Sequence, residues 1–166
     1  STMSCGQRSQ VALGLLFAQD PELMILDDFS MGLDPGYRRL FVEHLKEFAS
    51  AEGKTIFLTS HIIQDMERLI DDCMIMDYGR LLLHKPTAEI MDNFRRFTFT
   101  HEGQLDLTSN KELWNTEKVG NKWETYSFLP TEEVRQELRK AGIENVEFVE
   151  ENLTLEDAFI GLTGKY

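Results

Sequence analysis

Cysteine is scarce in this chain: Cys5 and Cys73 are the two thiols among 166 residues. They form neither a disulfide framework nor a metal-ligand spacing, which excludes a disulfide-stapled scaffold and a cysteine-built metal centre. The expectation is two reduced thiols in a cytosolic protein. Basic residues are also few, 17 against 29 acidic ones, for a formal net charge of −12. Binding along a nucleic-acid backbone needs a basic face, so the balance argues against that class while leaving room for one local patch. No apolar run approaches the roughly 18 to 20 residues of a membrane-spanning helix. No secretory leader is read at the start, so the chain is expected to be soluble by itself and to meet a membrane only through a partner. Repeats and low-complexity stretches are missing too.

What is present suffices for a sizeable core, with 42% hydrophobic residues. Apolar residues lie almost all round a helix from Gln7 to Gln19, which Asp20-Pro21 stops. Leu23-Met24-Ile25-Leu26 is a continuous apolar run ending in Asp27-Asp28, the pattern of a strand buried on both faces. Pro35-Gly36 opens a helix that Gly53 closes, and Thr55–Ser60 is a second strand of the buried type. A helix is predicted over 62–71, then strands Cys73–Asp77 and Arg80–His84 around a Tyr78-Gly79 turn, and a short helix from Thr87 to Asn93. Alternating strands and helices predict βαβ units and a mainly parallel sheet. Beyond it, Phe97–Thr100, Trp123–Phe128 and Val146–Val149 read as strands. Helix 132–141 is expected to be capped by Thr131, and a last helix opens on the capping-box pattern Thr154-Leu155-Glu156-Asp157. The expected division is 1–92 for the α/β part and 93–166 for a small α+β appendage. Its Phe94, Phe97, Phe99, Trp114 and Trp123 are read as packing residues.

In parallel α/β sheets, ligands bind beyond the carboxyl ends of the strands, and both strand ends here carry chemically capable groups. Asp27 closes the first strand; a carboxylate there can hold Mg²⁺ through its water shell beside nucleotide phosphates. Asp28 beside it can orient and polarise an attacking water. The plain alternative is a strand running into an acidic turn. His61 directly follows the second strand, where an isolated histidine is more often just a satisfied surface or core residue. Ser4 and Gly6 stand where a helix begins, and a serine hydroxyl with exposed amides at such a place makes a phosphate site. The plain alternative for them is an ordinary helix cap.

Taken in order, these pieces resemble one family. Met3-Ser4-Cys5-Gly6-Gln7-Arg8 is similar to the signature loop of ATP-binding-cassette (ABC) ATPases, Leu-Ser-Gly-Gly-Gln followed by a basic residue. Leu23 to Asp28 resembles their Walker B strand, Met31-Gly32-Leu33-Asp34 their D-loop, and His61 their switch histidine. The resemblance covers residues 2 to 92. It implies the C-terminal half of a P-loop-NTPase-like fold, beginning at the signature motif, with ATP and Mg²⁺ as cofactors. It implies Asp28 and His61 as catalytic residues, Asp27 on the metal, and Ser4, Gly6, Gln7 and Asp34 facing nucleotide or the dimer partner. The family's subunits pack head to tail, so Ser4, Gly6 and Gln7 would meet ATP held by a second ABC ATPase subunit, identical or different. Ile62-Ile63-Gln64-Asp65-Met66-Glu67 and the tail from Asn152 to Gly164 resemble exporter-type members that pair with ABC-2-type membrane permeases, which places the protein on the inner face of the cell membrane. A non-catalytic ATP-binding regulatory partner and a soluble non-transport ABC protein are the alternatives.

Two departures carry consequences. Cys5 replaces a signature glycine and adds a side chain where backbone approaches phosphate. Asp28 replaces the usual glutamate, which shortens the reach of the carboxylate by about 1 Å and predicts slow hydrolysis, since misplacement of that order can cost about 10²-fold in rate. The chain also contains no Gly-x-x-x-x-Gly-Lys-Ser/Thr loop. By itself it is therefore expected to bind nucleotide weakly or not at all, and to be inactive as an ATPase.

Overall fold

In the computed structural model, which describes residues 3–64, 66–144 and 147–164, Ser4 caps the first helix, α1 (Cys5–Ala18). The helix stops at Gln19, and Asp20 turns the chain with a positive φ of 49°. Strand β1 (Leu23–Asp27) follows and leads to helix α2 (Pro35–Glu52). Asp34 fixes where α2 begins, its carboxylate accepting from the amides of Gly36 (3.0 Å) and Tyr37 (3.2 Å), with proline in the first turn. Gly53 ends it in the left-handed conformation, at φ 60°. The chain then enters β2 (Thr55–Thr59), which pairs in parallel with β1 from Leu23↔Thr55 to Asp27↔Thr59. These elements fall in the first of two units, Ser1–Leu69, and the remainder in Ile70–Tyr166.

Phenylalanines knit the first unit. The Phe17 ring lies 5.5 Å from Phe41 and 5.4 Å from Phe48, and Phe29 sits 5.1 Å from Phe41. Leu45 is fully buried; burying such a side chain contributes about 1.5–3 kcal/mol. The fold class is α/β as expected, and among the described residues the parallel pairing is the β1–β2 pair. The expected two-sided burial of these strands is not found. Met24 and Leu26 are buried, whereas Leu23, Ile25 and Phe57 are 53%, 67% and 50% exposed. Successive side chains of a strand point to opposite faces, and within this unit only one face is covered.

Residues 62–71, expected as a helix, are not helical where they are described: residues 64 and 66–69 form turns, and Asp65 lies outside the described residues. Met66 N–H bonds to Ile63 C=O (2.9 Å) and Leu69 N–H to Met66 C=O (2.8 Å). Apolar residues at 63, 66 and 69 recur every three positions, which suits successive i→i+3 turns as well as it suits an α-helix.

In the second unit, β3 (Asp72–Asp77) and β4 (Arg80–Pro86) form the expected antiparallel hairpin. Tyr78 and Gly79 both have positive φ, 43° and 73°, as the two-residue hairpin turn that matches strand twist requires. The hairpin and α3 (Thr87–Asn93) lie in this unit, so the division expected after residue 92 falls inside it. A sheet of β5 (Arg95–Phe99), β6 (Trp114–Val119), β7 (Lys122–Ser127) and β8 (Phe148–Asn152) follows, in the order β6-β7-β5-β8 with antiparallel neighbours. Helix α4 (Thr131–Lys140) connects β7 to β8, which flank β5, a split βαβ crossover. Val134 and Leu138 of α4 pack with Phe97, Phe99, Trp123 and Ile143 in one buried cluster. Val146, where a strand was expected to start, lies outside the described residues.

Two caps differ in fate. Thr131 begins α4 rather than capping it; its hydroxyl donates to Glu150 Oε2 at 2.6 Å, and no side chain caps the helix. Thr154 caps α5 (Leu155–Thr163) in the expected reciprocal box with Asp157. Among the described residues, no helix is long and apolar enough to cross a membrane.

Candidate functional site

The parallel register brings the ends of β1 and β2 side by side, with Asp27 opposite Thr59. The Thr59 hydroxyl donates to Asp27 Oδ1. The Asp28 N–H turns back onto the same residue, lying 3.1 Å from Thr59 Oγ1 and 3.1 Å from its carbonyl oxygen. Asp28 itself has a φ of 44°. Aspartate is one of the few non-glycine residues that enter this left-handed region readily. The turn aims its carboxylate at His61, whose Nδ1 stands 2.8 Å from Asp28 Oδ1. With a proton on Nδ1, the ring donates to Asp28 and leaves Nε2 available to a ligand. The His61 side chain is 64% exposed and that of Asp28 30%, so the pair opens to solvent. Ser60 steadies the intervening turn, its Oγ accepting from the Ile62 N–H at 3.0 Å. Asp27, Asp28 and His61 thus form one constellation.

The other sequence-derived residues lie on neighbouring elements. Ser4 and Gln7 are engaged with each other: Ser4 Oγ accepts from the Gln7 N–H (3.2 Å), and Gln7 Oε1 accepts from the Ser4 N–H (2.9 Å). This reciprocal box is the plain cap reading of the segment, and both residues are exposed. Gly6 meets the loop between Asp28 and Asp34, because a β-carbon there would stand 3.1 Å from the Gly32 carbonyl oxygen. Asp34 spends its carboxylate on the start of α2.

The Gly6 contact yields a measurable expectation. Its partner is backbone, in a loop whose Ser30 and Leu33 are buried and which is tied by the Leu33 N–H to Ser30 C=O bond. Gly6→Ala is expected to lower stability by about 1 kcal/mol through overpacking. Gly14, in the same helix with nothing within 4 Å of its added carbon, should gain about 0.5–1 kcal/mol as alanine. Urea unfolding midpoints of the two variants should move in opposite directions.

Among the described residues, no group of three or more His, Cys, Asp or Glu side chains could cage a metal. Asp27, a single carboxylate at the strand end, fits Mg²⁺ of the kind held mostly by water and phosphate oxygens. In the second unit, a cleft of about 630 Å³ runs along Leu107 to Thr116. Three of its polar side chains are engaged within the unit: Asn110 bonds Glu137 (2.8 Å), Thr108 bonds Asp106 (2.6 Å) and Thr116 meets Thr125 (2.7 Å). Thr59 escaped the sequence reading. A threonine in a strand is unremarkable until the register sets it opposite Asp27.

A family model described as "AAA domain, putative AbiEii toxin, Type IV TA system" matches residues 2–64. The Nod factor export ATP-binding protein I of Rhizobium johnstonii is 33% identical over 98% of this chain and 53% of its own length. The protein of the same name from Cupriavidus metallidurans is 30% identical over 98% of this chain and 54% of its own. A thiamine import ATP-binding protein from Jannaschia is 34% identical, over 56% of this chain and 41% of its own length. The chain spans about half the length of the curated export relatives it matches.

Proposed function

From the kinship of this chain with the ATP-binding proteins of ABC transporters, we propose that it is the strand-end half of an ATP-hydrolysing transporter subunit. Residues 1–92 would belong to the nucleotide-binding domain, entered at the signature motif, and residues 93–166 to an appended packing domain. Asp27 would carry Mg²⁺ through its water shell, and the ion would offset charge on the phosphates. Asp28 would orient the attacking water and take its proton. His61, held by Asp28 through Nδ1, would present Nε2 to the γ-phosphate. Ser4, Gly6 and Gln7 at the start of α1 would face ATP on a second ATPase subunit, with Asp34 near that interface.

One observation carries the reading: the Asp28 to His61 contact at 2.8 Å, beside Asp27, at the carboxyl ends of two parallel strands. A second supports it. Asp27 shares the open face of the sheet with Leu23, Ile25 and Phe57. Apolar strand residues left in water invite cover, and a phosphate-binding loop with its helix would both bury them and bring a triphosphate to Asp27. For transport direction, the match to the export proteins runs through 98% of the chain and that to the import protein through 56%. That difference favours an exporter with an ABC-2-type permease, which would hold the subunit at the inner face of the membrane. The shorter Asp28 side chain favours slow turnover, and a weakly hydrolysing regulatory subunit is the second reading.

The test is calorimetric titration with Mg-ATP. The complete polypeptide is expected to bind in the micromolar range, while residues 1–166 alone give no heat of binding. Micromolar affinity in the isolated chain would overturn the dependence on a phosphate loop outside this sequence.

A further inference from the structure

We propose that Thr59 is the positioning residue of the acidic pair, a role that rests on the reading of Asp27 and Asp28 given above. Its hydroxyl has one proton and donates it to Asp27 Oδ1. Its lone pair accepts the Asp28 N–H at 3.1 Å. One side chain therefore holds the carboxylate of one aspartate and the backbone of the next. The two constraints work together. Asp27 is fixed in rotation, which decides which of its oxygens faces outward from the open face of the sheet. Asp28 is fixed in its left-handed turn at φ 44°, which decides where its carboxylate meets His61. Thr59 lies two residues before His61, so the same strand end sets both the clamp and the imidazole. A hydroxyl needed only for strand formation would have no reason to bridge both acids; the β-branched carbon alone would serve the strand.

Valine and serine separate these roles. Thr59→Val keeps the branched shape and the Thr59 carbonyl but deletes the hydroxyl. Thr59→Ser keeps the hydroxyl and deletes the methyl. In the complete polypeptide, Thr59→Val is expected to lower kcat for ATP by about 10- to 100-fold with KM for ATP within about threefold, as for a group displaced by about 1 Å. Thr59→Ser should stay within about threefold of the parent in both constants. A readout independent of turnover is hydrogen exchange at the Asp28 amide in nucleotide-free protein. Exchange should quicken in the valine variant, which has lost one of its two acceptors, and not in the serine variant.

Parent-like kcat and parent-like Asp28 exchange in Thr59→Val, while Asp28→Asn is inactive, would overturn the role of Thr59 and leave the site reading standing. Serine as slow as valine would also overturn it, because the methyl and not the hydroxyl would then matter. If Thr59→Val and Asp28→Asn both hydrolyse ATP at the parent rate, the acidic pair itself is not the site and both proposals fall.

Discussion

Exchanging Asp28 for asparagine in the complete polypeptide is expected to cut the rate of ATP hydrolysis by about 10²- to 10⁴-fold, the contribution of a positioned general base. The fold should be nearly indifferent to the change. Asparagine is isosteric with aspartate and, like it, tolerates the left-handed conformation that residue 28 adopts at φ 44°. The backbone bonds from the residue 28 N–H to Thr59 are untouched by the exchange. The side-chain oxygen of asparagine can still accept from His61 Nδ1, now 2.8 Å from Asp28 Oδ1. What disappears is the charge and the capacity to take a proton from water. Steady-state kinetics should therefore show a fall in kcat at nearly constant KM for ATP, with a melting temperature within about 2 °C, as for surface changes of a few tenths of a kcal/mol. Full activity in this variant would remove Asp28 from the chemistry. Asp28→Glu is the complementary case. The added methylene carries the carboxylate outward, so the rate should rise by about tenfold or more if short reach limits turnover. Placing glutamate in a left-handed turn should cost about 1 kcal/mol of stability. An unchanged rate would count against the reach argument.

Local signals in this chain specify more of the fold than those that depend on distant partners. Asp34 before Pro35, and Gly53 after a helical stripe, specify the ends of α2 through bonds made within a few residues, and the structure has both. The same holds for the Thr154 box at α5. Signals that depend on distant partners were read less well. The run Leu23 to Leu26 has the composition of a strand covered on both sides, yet cover on the second face is not supplied within its unit. Strand β6 was not anticipated at all. Trp114-Asn115-Thr116-Glu117 has no clean alternation, its residues are half-buried at the edge of the sheet, and the pairing slips between Trp114 and Glu117, where Asn115 takes a φ of 42°. Thr131 looks like a cap in sequence, but its hydroxyl is drawn to Glu150 on a strand 19 positions away. At the candidate site, the acids and the histidine were legible because each ends or follows an apolar run. The residue that ties them together was not, because its role exists only once β1 and β2 are in register.

Gly161→Ala should destabilise the second unit markedly. A β-carbon at Gly161 would stand 2.4 Å from Cδ1 of the Tyr126 ring, 2.7 Å from Cγ and 2.8 Å from Cε1, well inside van der Waals contact. The ring has little room to yield. Tyr126 is 5% exposed and lies stacked on Phe94 at 6.1 Å. Arg96, its register partner on β5, is itself held by a guanidinium contact of 2.8 Å to Glu151. Burial, the foremost influence on the phenol, pushes its pKa up. Helix α5 must therefore move away from β7, or the ring must leave a packed site. Alanine would otherwise favour a helix interior by about 1 kcal/mol, so a net loss measures packing and not propensity. The expected loss is about 2–3 kcal/mol, at the upper end of overpacking, or roughly 10–20 °C in the melting temperature of a unit of this size. Tryptophan emission reports it directly, because Trp114 and Trp123, the two tryptophans of the chain, both belong to this unit. Removing the ring tests the cause. Tyr126→Ala loses its own core contacts, but once it is made, adding Gly161→Ala should cost little further. The double-mutant cycle should then give a coupling of 1 kcal/mol or more, as for residues in contact. An unshifted or raised melting temperature in Gly161→Ala would mean that α5 does not lie on the sheet at this distance. Additive losses in the cycle would place the strain somewhere other than against Tyr126.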